Sequence, residues 1–183
     1  MIILEGPDGS GKTTLMQELV MDHGFKQRPR FSTHSGPLDN LYRRVYQDLE
    51  KVMSGTEECG VYDRHSLMSE YIYGQIRPDS EINPDFLWPG AADMVRALSS
   101  RCLLVLCLPP LHVVTENVLK EDTEQMVGVR ENIFRMYQAY QVMRIFWPSQ
   151  NRLITYDYTS DLSRRTAISR INLHRAEWNK HNG

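Results

Sequence analysis

Near the amino end, Gly6-Pro7-Asp8-Gly9-Ser10-Gly11-Lys12-Thr13 sets two glycines, a lysine and a hydroxyl at the spacing G-x-x-x-x-G-K-[ST]. A loop of this composition suits a polyphosphate. Side chains would collide with such an anion, so backbone N–H groups must curl round it, and glycine permits the dihedrals this needs. Lys12 supplies a point charge to the β- and γ-phosphates of a donor such as ATP, and Thr13 offers its hydroxyl to Mg²⁺. Gly9, Ser10, Gly11 and Thr14 complete the expected cradle, because a helix starting near Gly11 turns its positive end toward the anion. A second constellation is Asp63-Arg64-His65-Ser66. An aspartate at the tip of a strand beside the P-loop can orient the water shell of Mg²⁺. The following arginine can clamp a transferred or accepting phosphate, the plainer alternative being a salt-bridged strand end.

Other residues could join them. Arg28 and Arg30 lie where a second strand should end, so one of them could hold a second substrate's phosphate by a bidentate fork, unless both are merely solvated. Ser69, Tyr71 and Tyr73 fall on a helix after Asp63-Arg64, with one tyrosine a candidate for stacking on a base. Lys120 and Arg130 flank a charged break, Lys120-Glu121-Asp122-Thr123-Glu124-Gln125, that could be a mobile lid or a plain solvated turn.

Positioning such residues requires alternating strands and helices. Ile2-Ile3-Leu4 is too short for a helix and right for a buried parallel strand. The helix from Gly11 to about His23 shows Leu15, Leu19 and Val20 on one face and stops at Gly24. Strands are expected at 25–31, 59–62, 102–108 and 153–156, and helices at 38–53, 66–74, 91–99, from 111, 125–146 and 161–178; residues 77–90 read as a loop. The strand at 102–108 ends in Pro109-Pro110 with no carboxylate, so Asp63 has no rival for the metal-side acid. Met126, Val129, Ile133, Met136 or Tyr137, and Tyr140 form one stripe on the long helix, either core or a dimer seam. Asp157-Tyr158-Thr159-Ser160 is, by position alone, a plausible cradle for adenine.

The chain of 183 residues suits one domain with a real core. Its 21 basic and 23 acidic residues nearly cancel, so no charge excess advertises a nucleic acid or an anionic membrane, and a small-molecule partner is expected. The arginines of the last helix are unclustered and read as solvated. Three widely spaced cysteines, Cys59, Cys102 and Cys107, fit neither a disulfide framework nor a zinc site and point to a reducing compartment. No apolar run approaches a membrane span, and the chain opens on a strand rather than a signal sequence, so the expected location is the cytoplasm.

With the P-loop, Asp63-Arg64-His65 and the run from Ser69 to Gly74 in hand, the chain resembles the thymidylate kinase family of nucleoside monophosphate kinases, in a compact, phage-like form. The resemblance implies a three-layer α/β P-loop kinase fold over residues 1–183, with a five-stranded parallel sheet flanked by helices and a small lid near 111–130. It implies transfer of the γ-phosphate of ATP, with Mg²⁺, to a dTMP-like deoxynucleoside 5′-monophosphate. Asp8 matches the acid that meets the acceptor's 3′-hydroxyl, Arg64 the arginine on the acceptor phosphate, and Arg28 or Arg30 its assistant. Homodimers formed through helices are usual in that family. Here Arg28-Pro29-Arg30-Phe31-Ser32-Thr33 stands where the family has Arg-Glu-Pro-Gly-Gly, His65 replaces a tyrosine, and the lid lacks its usual pair of arginines. The base and the group that neutralises the transferring phosphoryl are thereby left open.

Three other functions fit a P-loop. A deoxynucleoside kinase needs a carboxylate to take the proton of the sugar hydroxyl, expected at the end of the second strand, and residues 25–38 have none near the acceptor. A kinase acting on a hydroxyl of a modified base in DNA should need a basic groove. A nucleotide-dependent switch of the GTPase kind should carry Asn-Lys-x-Asp, which this sequence lacks.

Overall fold

The computed structural model describes residues 1–29, 38–74, 90–120 and 128–182. Five strands are present: β1 (Ile2–Glu5), β2 (Lys26–Gln27), β3 (Gly60–Asp63), β4 (Leu103–Cys107) and β5 (Leu153–Tyr156). All pair in parallel, in the order β2-β3-β1-β4-β5. The described helices are α1 (Lys12–Met21), α2 (Leu38–Ser54), α3 (Ser66–Gly74), α4 (Ala91–Arg101), α5 (Leu111–Lys120), α6 (Val129–Phe146) and α7 (Asp161–Asn182).

The strand order follows from burial. Ile2, Ile3 and Leu4, and every residue of β4 from Leu103 to Cys107, are buried, as central parallel strands covered on both faces must be. The two residues of β2 are exposed, which suits an edge. Of the expected strand at 25–31, Lys26 and Gln27 form β2, Phe25 packs into the core, and residues 30–37, Arg30 among them, lie outside the described part. Right-handed crossovers put α1 on one face, because β1 connects leftward to β2, and α2 to α6 on the other, because the later connections run rightward. Returning to the first face, α7 lies beside α1, where Arg164 grips Glu18 with two bonds of 2.9 and 3.2 Å.

Register carries the chemistry to one end. Leu4 pairs with Asp63 and with Val105, and Glu5 with Leu106, so the carboxyl ends of β1, β3 and β4 finish level. The chain leaves β1 toward one face and β3 toward the other, opening the crevice in which ligands of such sheets bind. The long helix begins at Val129, four residues later than the periodicity suggests. Its stripe of Val129, Ile133, Met136, Tyr137 and Tyr140 is buried core, while Met126 lies outside the described residues. Cys59, Cys102 and Cys107 are all buried free thiols. No described helix is long and apolar enough to cross a membrane.

Candidate active site

The P-loop bends because of what stands behind it. At Gly6, φ is +149°, and a Cβ there would come within 2.4 Å of the Cys107 carbonyl oxygen of β4. At Gly11, φ is +82°, in the left-handed region, and the residue caps α1 without a side-chain bond. The amides that open α1 are thereby left for an anion. The loop, Thr13, Thr14, Asp63, Arg64, Asn117 and Tyr158 together line a cavity of about 410 Å³.

Lys12 is buried and folds its ammonium back onto the Pro7 carbonyl and the Ser10 hydroxyl, the latter at 3.3 Å. Burial first, and then the Arg64 guanidinium, lower its pKa to about 8. Across the cavity, Arg64 is buried and adopts φ +67°, unusual for a residue with a Cβ. It donates to Asp8 Oδ1 at 2.6 Å and lies 4.5 Å above the Tyr73 ring, whose hydroxyl donates to Asp8 Oδ2 at 3.0 Å. Burial works to raise the pKa of the Asp8 carboxyl, but Arg64 and Lys12 outweigh it and leave Asp8 below its ordinary value. Asp8, Lys12, Asp63 and Arg64 are thus gathered in one cleft. Thr13 is exposed and Asp63 half-buried on its wall; a hydroxyl and a carboxylate are the hard oxygen donors that Mg²⁺ takes alongside phosphate oxygens.

Sequence reasoning missed Glu5. It is fully buried at the end of β1, accepting bonds from the His65 N–H at 2.7 Å, from the Ser69 hydroxyl at 3.0 and 3.1 Å, and from the Tyr140 hydroxyl at 3.1 Å. Burial raises its pKa, against which His65, Arg64, Ser69 and Lys12 pull in the other direction. An acid closing an apolar strand just before a P-loop was the available signal.

Full-length structural matches accompany this geometry. YorR of Bacillus subtilis, solved in complex with phosphorylated GDP, matches with TM-score 0.70 at 18% identity, covering 100% of this chain and 98% of that one. The fold is that of the P-loop kinases. The deoxyadenosine kinase of M. mycoides with bound dATP shares this P-loop kinase fold at TM-score 0.54 and 13% identity, covering 97% of this chain and 98% of its own. No family model and no curated protein sequence matches the chain.

Several expected site residues stand elsewhere than the motifs suggest. Arg28 turns back over Gly60 and away from the cleft: its guanidinium pairs with Glu57 and donates to the Glu58 carbonyl at 2.5 Å, before β3 begins. The Glu57 carboxylate and the Glu58 backbone carbonyl, at the opposite end of the neighbouring strand, capture it. Ser69 is buried and spends its hydroxyl on Glu5. Tyr73 is no open stacking platform, since its face carries Arg64, and Tyr71 is half exposed. Lys120 is exposed and pairs with Glu116 at 3.2 Å, while Arg130 is exposed on the first turn of α6. Residues 121–127 of the expected lid, like residues 75–89, lie outside the described part. The rest of the expected lid that precedes them, α5, is a packed helix: Val114 and Val118 are buried, and Gly9 lies against both.

Proposed function

We propose that the protein is a nucleoside monophosphate kinase, transferring the γ-phosphate of ATP to a dTMP-like deoxynucleoside 5′-monophosphate and releasing the two diphosphates. One observation carries the reading: a buried arginine, Arg64, faces a P-loop across a single cavity. Phosphoryl transfer asks mainly for alignment and charge neutralisation. Gly9 to Thr14 would hold the donor's phosphates, Lys12 leaving the Pro7 carbonyl for them. Arg64 would exchange part of its contact with Asp8 for the acceptor's phosphate, and the freed Asp8 oxygen would meet the acceptor's sugar. Mg²⁺, when bound between Thr13 and a water shell oriented by Asp63, would offset charge on the donor's phosphates. Residues 111–130 would restrict water, with Lys120 and Arg130 flanking the charged break in sequence. The expected homodimer has an apolar surface to use in Phe134, Val142 and Ile145, exposed on α6.

A specific observation favours a second reading, a deoxynucleoside kinase. Glu5 supplies the carboxylate that residues 25–38 lack, on β1 rather than β2 and within electrostatic reach of Arg64 and Lys12. To serve as base toward a sugar hydroxyl it would have to give up its Ser69 or Tyr140 contact. Incubation with ATP, Mg²⁺ and each common ribo- and deoxy-monophosphate, alongside the free nucleosides, separates the two. Diphosphate formation that survives Glu5→Gln supports the first. Transfer confined to nucleosides and lowered about 10²-fold or more by Glu5→Gln establishes the second.

A further inference from the structure

Glu5 has no part in the monophosphate kinase reading, although it is fully buried at the last residue before the P-loop. What it holds is the turn that carries Arg64. β1 and β3 pair no further than Leu4 opposite Asp63. At the next residue the chain enters the left-handed region, φ +67° at Arg64, which a residue with a Cβ adopts only where its surroundings impose it. The two N–H groups that flank the Arg64 Cα are both pinned from the end of β1. Arg64 donates its own to the Leu4 carbonyl at 2.9 Å, and His65 donates to Glu5 Oε1 at 2.7 Å. With the peptides on either side fixed, the direction in which the Arg64 side chain leaves the backbone is fixed too.

The carboxylate is itself held from two helices. From the first turn of α3 the Ser69 hydroxyl donates to both of its oxygens, at 3.0 and 3.1 Å, while the Ser69 N–H returns to the His65 carbonyl at 3.0 Å. From α6 the Tyr140 hydroxyl donates to Oε2 at 3.1 Å. Glu5 is not among the described residues that line the cavity. We propose that Glu5 is a positioning residue for the phosphoryl acceptor: through the His65 N–H and the Ser69 hydroxyl it holds the Arg64 turn, so that the guanidinium stands ready for the acceptor's phosphate. This rests on the monophosphate kinase reading above, in which Arg64 meets the acceptor. A proton acceptor needs the carboxylate, whereas a positioning residue needs only its hydrogen bonds. Glutamine keeps them, because its amide oxygen accepts from the His65 N–H and its two hydrogens go to the hydroxyl oxygens of Ser69 and Tyr140, which rotate to accept.

Kinetics with ATP, Mg²⁺ and the monophosphate that the wild type phosphorylates fastest, alongside calorimetry of ATP binding, give the test. Glu5→Leu leaves the His65 N–H unpaired. It is expected to lower the acceptor's kcat/KM about tenfold while the Kd for ATP stays within about twofold, the loss of roughly one charged hydrogen bond. Glu5→Gln should stay within about threefold of the wild type in both. Ser69→Ala keeps the carboxylate and removes its clamp from α3. It should lower the acceptor's kcat/KM about threefold to tenfold, an effect that vanishes when Arg64 is already alanine. Should Glu5→Leu not fold, Ser69→Ala decides. Equal losses for acceptor and ATP, no loss in Glu5→Leu or in Ser69→Ala, a Glu5→Gln as impaired as Glu5→Leu, or a Ser69→Ala effect undiminished beside Arg64→Ala would each overturn the proposal and leave the kinase reading standing. A wild type that phosphorylates no monophosphate would overturn both.

Discussion

Lys12 offers a proton-coupled signature of phosphate binding. Burial and Arg64 hold its pKa near 8, against an ordinary value of 10.5. With the loop empty, then, about half of the molecules carry a neutral amine at pH 8, and about nine-tenths do at pH 9. A polyphosphate brings several negative charges to this ammonium and returns its pKa toward or above the ordinary lysine value. Binding must therefore take up about half a proton at pH 8 and nearly a whole one at pH 9, but only about a tenth at pH 7. By linkage, ATP affinity falls as pH rises above 8, approaching tenfold per unit. Calorimetry in buffers of different ionisation enthalpy measures the uptake directly, and at pH 8 and 9 the terminal phosphate of ATP is already ionised. Lys12→Met should abolish the uptake. Arg64→Met should shrink it at pH 8, because removing the neighbouring cation lets the lysine's pKa rise in the free protein. Absence of uptake at pH 9, or equal uptake in Lys12→Met, refutes the reasoning.

Other outcomes follow from single contacts. Arg64→Ala should raise the KM of a phosphate acceptor at least about tenfold while ATP affinity stays near that of the wild type, since charged hydrogen bonds of this kind contribute about 1.5–3 kcal/mol. A loss confined to ATP would move Arg64 to the donor side. Gly11→Ala forces a left-handed alanine against the Tyr158 ring, and urea titration should find it less stable by about 1–3 kcal/mol. His65 and His174 are buried, and burial lowers their pKa to about 4 and about 3. Between those values and about 6.5, the unfolded chain binds more protons than the folded one, so their contribution is complete above pH 6.5 and lost as pH falls. Each histidine should cost roughly 2 kcal/mol by pH 5, partly offset by Glu5, whose raised pKa acts with the opposite sign. His174→Gln should flatten the decline between pH 7 and 5, and an unchanged slope would contradict the assignment.

Which of these features the sequence made legible depended on how local their causes are. The P-loop is one contiguous stretch whose glycines answer to its own backbone geometry, and Asp63-Arg64 follows a recognisable apolar strand, so both could be read directly. The five strands could be found from short apolar runs, but the short β2 could not be bounded. Its extent depends on pairing with β3, some thirty residues later, and not on its own composition. The direction of the Arg28 side chain is hidden for the same reason, because the Glu57 carboxylate and the Glu58 carbonyl, not its neighbours in sequence, decide where its guanidinium goes. Glu5 is hidden behind the apolar run Ile2-Ile3-Leu4, and its three side-chain and backbone donors come from β3's exit, α3 and α6. The contact between Tyr73 and Arg64 is not legible in the sequence, since only tertiary structure stacks the guanidinium on the ring.

The phosphate loop at Gly9 to Thr14 and Arg64 face each other within one cavity, as the two phosphate sites of the proposed kinase would. Two nucleosides joined by a five-phosphate bridge should occupy both at once. Titration of such a bisubstrate compound is predicted to show binding about 10²-fold or more tighter than ATP alone, with the excess abolished in Arg64→Ala. An affinity equal to that of ATP, insensitive to Arg64→Ala, would contradict the account.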